Sequence, residues 1–218
     1  TRILLVALLA LTLLLVSGPT SPAHVGSAGH AGGLEADYMN ATTTVDGVFK
    51  VGEYSDNYTD PVTGIWIYVQ YSGNVLGIGL QSPGVGWIAA SLGGVLVGSN
   101  YSDVLVFVED NGTLRALDMV DHGWERHLDL AIGGTDDIIA SAAVQSGGGL
   151  AVEFQIPLDS ADDNDHHFRP NETYPMSVAY SATSTDPATE ATAHSPQLLI
   201  HIGPTPMIMV WQPTAVRA

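Results

Sequence analysis

The run from Asp159 to His167 (DSADDNDHH) collects oxygen and nitrogen donors in nine residues. Asp159, Asp162, Asp163, Asn164 and Asp165 are hard oxygen ligands of the kind calcium takes. The run lacks the central glycine and distal glutamate of an EF-hand loop, so a solvated acidic turn is expected ahead of a calcium site. His166 and His167 are chain neighbours, which point to opposite sides of an extended segment and make a poor chelating pair. His122 and His127 flank Trp124 in DHGWERH, which reads as a surface loop. His201 lies inside the apolar run LLIHI and reads as structural, and His24 and His30 sit in a glycine-rich stretch. Trp66, Trp87, Trp124 and Tyr68 could wall a cofactor or form a sugar platform, although most aromatics in a β-protein serve the core.

No G-x-S-x-G elbow, phosphate-binding loop or H-E-x-x-H zinc motif occurs, so the chain is not expected to be an enzyme. Cysteine is absent, which excludes disulfides, thiolate-held iron–sulfur clusters and covalent c-type haem. Twenty-three acidic against six basic side chains give a net charge of −17. Such a surface repels phosphate backbones and anionic lipid headgroups, so nucleic acid is not an expected partner. It favours a basic protein partner.

Whatever these groups do, β-strands must position them. Short alternating apolar runs occupy residues 65–71, 75–81, 87–92, 104–109, 114–120, 138–144, 150–156, 176–182 and 198–202. Turn signals separate them: Ser72-Gly73-Asn74, Asp110-Asn111-Gly112-Thr113 and Ser146-Gly147-Gly148-Gly149. Strand pairs joined this closely predict an all-β antiparallel sandwich with little helix. The apolar tail Met207–Gln212 is expected to add an edge strand to its own sheet, the alternative being self-assembly by pairing with another chain.

Residues 3–16 are apolar apart from Thr12 and follow Arg2. A helix of that length rises about 21 Å, short of a roughly 30 Å hydrocarbon core, so residues 1–23 read as a signal peptide or membrane anchor. Residues 24–41 read as a flexible linker, 42–203 as the sandwich and 204–218 as a C-terminal extension. Five N-x-S/T sequons, at Asn40, Asn57, Asn100, Asn111 and Asn171, mark candidate glycosylation sites on a secreted or membrane-anchored, extracytoplasmic glycoprotein.

Val45-Asp46-Gly47-Val48 with Gly52-Glu53-Tyr54 resembles the opening strand of archaeal and bacterial DOMON domains. Gly86-Trp87-Ile88-Ala89, Ser102-Asp103-Val104, His127-Leu128-Asp129, Gly134–Ile138, Val152-Glu153-Phe154, Pro157-Leu158-Asp159 and Ala193-His194-Ser195 follow in the order of that family. The resemblance covers about residues 44–202. It implies a β-sandwich that binds b-type haem or sugars, or that serves a membrane redox protein. For the haem branch it implies a Met ligand after the Gly-Trp strand and a His ligand before the last strand. His194 matches the second position, and Leu96 stands where the Met would be. Met119, His122, Met207 and Met209 are the other candidates for a second ligand. Trp87, Leu96 and Tyr180 are the implied pocket walls. The expectation is an electron-transfer module with a membrane or extracytoplasmic redox partner. The alternative is a cofactor-free module at the cell surface that binds carbohydrate or assembles.

Overall fold

The structure, a computed structural model, describes residues 43–94, 102–110, 113–122, 125–203 and 207–210. The apolar leader, the linker, Leu96, Trp124, Asn40, Asn100 and Asn111 lie outside the described residues.

Two antiparallel sheets carry the chain. The first orders β1 (Asp56–Thr59), β2 (Trp66–Ser72), β3 (Val75–Ser82), β9 (Gly149–Pro157) and β8 (Ala140–Ser146) as β1-β2-β3-β9-β8. The second is built from β4 (Ile88–Leu92), β5 (Ser102–Asp110), β6 (Thr113–His122), β7 (Glu125–Leu128), β10 (Glu172–Tyr180), β12 (Leu198–Ile202) and β13 (Met207–Val210). Its order is β13-β12-β10-β4-β5-β6-β7, and the two-residue β11 (Ala193–His194) also pairs with β10. One 3-10 turn, Asp129–Ile132, is the only helical element among the described residues.

Period-two patterning explains which face is buried. In β2, Ile67 and Val69 are fully buried while Trp66 and Tyr68 face outward; in β9, Leu150, Val152, Phe154 and Ile156 turn inward. Ile88, Ala90 and Leu92 of β4 and Leu105 and Phe107 of β5 meet them from the second sheet. Phe107 and Phe154 touch across the gap with ring centroids 5.9 Å apart. Each such apolar side chain contributes on the order of 1.5–3 kcal/mol by leaving water. The hairpin between β8 and β9 turns through Gly147 and Gly148, at φ 61° and 84°. Two successive positive φ values define a type I′ turn, whose twist matches that of the flanking strands.

Two sequence expectations need correction, and one strand was not expected. Residues 43–55 form bends and turns, not an opening strand, because Gly47 and Gly52 adopt φ 78° and 80°. That segment instead lies on the outside of the first sheet. Phe49 stacks on Tyr68 at 4.2 Å over Gly79, where an added Cβ would fall 2.4 Å from the Phe49 ring. The stretch 125–128, read as loop, is an edge strand held by a two-pronged pair from Arg126 to Asp121 at 2.7 and 3.2 Å. The polar β1, not foreseen, closes the other sheet edge. The tail strand β13 pairs with β12, from Leu198 opposite Val210 to His201 opposite Met207.

Candidate functional site

Two places outside the main core gather chemistry. The first is the outer face of the second sheet. Directly opposed residues share a face, and the registers run His194, Ala179, Ala89, Val106, Leu117 across five strands. Trp87, Ala89, Val104, Val106, Val108, Met119 and Ala179 form a second buried apolar cluster there. The loop between β10 and β11 reaches over it. Thr189 accepts the Trp87 indole N–H at 3.1 Å, Ala191 packs against the cluster, and Arg126 donates to the Pro187 carbonyl at 3.5 Å.

His194 stands at the rim of this face. Its ring is exposed, and its Nδ1 lies 3.3 Å from the neighbouring Ser195 carbonyl. Trp87 is thus brought to the same face as His194. Tyr180 is not: it pairs with Ile88, one residue out of phase, and lies against the inter-sheet core. Met119 shares the outer face but sits on β6. Four strand spacings of about 4.8 Å place its backbone roughly 19 Å from that of His194. Met207 and Met209 lie on β13, opposite His201 and Leu199. Of the sequons, Asn171 is exposed at φ 67° ahead of β10, whereas Asn57 sits half-buried in β1 and not in a turn.

The second place is a small cavity at one end of the space between the sheets. Asp103 is in phase with the inward Leu105 and Phe107 on β5, and Asp118 lies opposite Leu105 on β6. The two carboxylates are therefore diagonal neighbours on the inward face. The loop after β9 closes the end. It is clasped where Phe168 N–H meets the Leu158 carbonyl at 2.7 Å, and it carries Asp165 and His166 into the cavity wall. Gly93, at φ 72°, leaves the room that the His166 ring occupies, and that ring meets Phe168 and Tyr174 edge-on at 4.9 Å. The cavity, about 10 Å³, holds one water-sized sphere and is lined by Asp103, Asp118, Asp137, Asp165, Ser160 and His166.

The Asp118 Oδ2 accepts from Asp137 N–H at 2.8 Å, and the His166 backbone beside Asp103 offsets a little of what burial does to that acid. The Oδ1 atoms of Asp103 and Asp118 are buried with no hydrogen-bond partner. Carboxylate oxygens of Asp103, Asp118 and Asp165 all lie within 4.8 Å of one another, as do those of Asp137, Asp162 and Asp165. Burial raises all three acids of the inner set: Asp103 well above the usual carboxylate range, Asp118 to about 7 and Asp165 to about 8. Loss of water around a charge costs more than their hydrogen bonds return. The solvated turn expected from sequence holds for the exposed Asp159, Asp163 and His167 but not for Asp165 and His166, which turn inward.

No family model matches the chain, and no curated protein matches it. Among solved structures it is similar to the cytochrome b domain of pyranose dehydrogenase from Coprinopsis cinerea, at 15% identity and a TM-score of 0.42, over 66% of this chain and 84% of that one. At that distance no residue assignment is carried across.

Proposed function

We propose that the domain is an extracytoplasmic module that binds one b-type haem on the outer face of the second sheet, with His194 as an axial ligand, and exchanges single electrons with a redox partner. The observation that supports this reading is the placement of His194 at the rim of a buried apolar face separate from the main core. An apolar wall and an imidazole are the two things a haem needs from a protein. The residues fit the group on that one side. Among the described residues, no thioether or second imidazole stands opposite His194.

Haem, when bound, supplies an iron centre that changes charge by one electron. The chain's own contribution is a nitrogen ligand from His194 and exclusion of water by Trp87, Ala89 and Ala179. Ala89 and Ala179 are small, which lets a flat group approach the sheet. Both are already covered, so uptake requires the loop bearing Thr189 and Ala191 to shift and the Trp87–Thr189 bond to open. The test is titration with haemin. A 1:1 Soret transition that weakens in His194→Ala supports the assignment. A spectrum of free haemin at every ratio removes the cofactor, and equal binding by both proteins removes His194 alone.

One observation favours the carbohydrate alternative. Trp66 is 37% exposed and lies nearly parallel to Tyr68, at 17° and 6.4 Å, extending the Phe49–Tyr68 stack to the surface. An exposed indole face is a platform for a sugar ring. Quenching of tryptophan fluorescence by an oligosaccharide, abolished in Trp66→Ala, would move the reading to this face.

A further inference from the structure

We propose that Asp103, Asp118 and Asp165 bind one calcium ion in the cavity at the β5–β6 end, fastening the loop of residues 158–168 to the second sheet. The inference does not depend on the haem reading.

Acidic residues clustered on a surface are ordinary; these are not on a surface. Asp103 and Asp118 are 6% and 7% exposed, and each aims an unpartnered Oδ1 into a cavity they both line. The walls beside them are apolar, Leu105 and Ile156. Three carboxylates within 4.8 Å of one another repel strongly in such surroundings. A divalent cation removes both defects at once: it supplies the missing partner to each orphaned oxygen and cancels the repulsion. Calcium–oxygen bonds of about 2.3–2.6 Å place two ligands of one ion up to about 5 Å apart, which the 4.8 Å limit satisfies.

The three groups that come within 4.8 Å of one another are all carboxylates. His166, whose buried Nε2 also has no partner, lines the cavity but stands outside that set, which argues against zinc with its preference for nitrogen and sulfur. The size of the cavity, one water-sized sphere, argues for calcium over magnesium, which gives up its waters reluctantly and usually keeps several of them. Asp137 and Asp162 form an outer layer. Their carboxylates are engaged by Thr135, at 2.7 Å for Asp137 Oδ2 and 2.6 Å for Asp162 Oδ2, and Asp162 Oδ1 also accepts from Asn164 N–H. With those oxygens already engaged, and the Asp162 carbonyl accepting Asp165 N–H at 3.3 Å, this layer supports the loop rather than holds a second ion, so the expected stoichiometry is one.

The experiment uses the full chain, stripped with a chelator and titrated with calcium chloride at neutral pH by calorimetry and thermal melting. One site is expected, with a Kd of about 10⁻³ M or tighter. Melting should rise by about 5–10 °C at a hundredfold excess over Kd. Magnesium should give less than half that shift. Asp118→Asn and Asp165→Asn should each weaken binding at least tenfold. Asp163→Asn, exposed and outside both acidic sets, should bind as the wild type does. Hydrogen exchange of the wild type, which needs no variant to fold, should slow at residues 158–168 when calcium is added. The proposal is overturned by no heat and no melting shift in the wild type up to about ten times the stated Kd. It is equally overturned by binding that both Asn variants retain, or by protection confined to other segments.

Discussion

Glu153 offers the sharpest test of how the first sheet is finished. It projects outward from β9 yet is fully buried, because the segment of residues 43–54 folds over it. Oε2 accepts the backbone N–H groups of Asp46 (2.8 Å) and Gly47, and Oε1 accepts the Tyr54 hydroxyl at 2.8 Å. These are charge-assisted bonds spanning about a hundred residues of sequence. Glu153→Ala strands two backbone donors and a phenol. At about 1–3 kcal/mol for each buried group left unsatisfied, with relaxation of the segment recovering part, the expected loss is about 3–5 kcal/mol. Glu153→Gln keeps a carbonyl for the two N–H groups, and Tyr54 can rotate its hydroxyl to accept from the new amide. Its loss should be about 1–2 kcal/mol, the charge assistance alone. Urea unfolding measures both, and proteolysis near Phe49 should quicken in the alanine variant. A loss below about 1 kcal/mol for Glu153→Ala would refute the reasoning and detach the segment from the fold's stability.

Gly79→Ala places a methyl 2.4 Å from the Phe49 ring, and a cost of about 1–3 kcal/mol in chemical denaturation is expected. Removing residues after Gly203 deletes β13 and exposes the β12 edge, so the melting temperature should fall or the chain should associate; size-exclusion chromatography with a thermal melt reads either result. In chelator, the contribution of Asp118 and Asp165 to stability, read as wild type against Asp118→Asn and Asp165→Asn, should be greatest below about pH 4 and be lost as pH rises through 7 to 8. The folded values of Asp118 and Asp165 lie near 7 and 8, above the unfolded carboxylate value, so the native state binds the extra protons and loses their benefit as they leave. Urea midpoints across that range check the sign.

The sheets were legible because their strands alternate and their turns carry glycine. Ile67 and Val69 against Trp66 and Tyr68 already state which face of β2 is inside. The strands that escaped notice, Asp56–Thr59 and Glu125–Leu128, are edges that bury little, so backbone pairing holds them without a hydrophobic pattern to announce it. The opening segment misled because Val45 and Val48 look strand-like while the left-handed glycines at 47 and 52 break the run. The acidic cavity was half visible. Asp162 and Asp165 stood out in the run, but Asp103 and Asp118 lie more than 35 residues away on other elements. A signal for Asp103 was present: counting by twos from Phe107 and Leu105 puts a carboxylate in an inward position. Tyr180 was grouped with His194 by family order, and a one-residue offset in register was enough to send it to the opposite face.

The central claim, a haem held by His194, is met most directly by the absorption spectrum of the protein purified from its native source, read with a pyridine haemochrome assay. The account predicts a Soret band and one b-type haem per chain, released by acid–acetone extraction because no cysteine tethers it. A colourless protein that also fails to take up added haemin would contradict it.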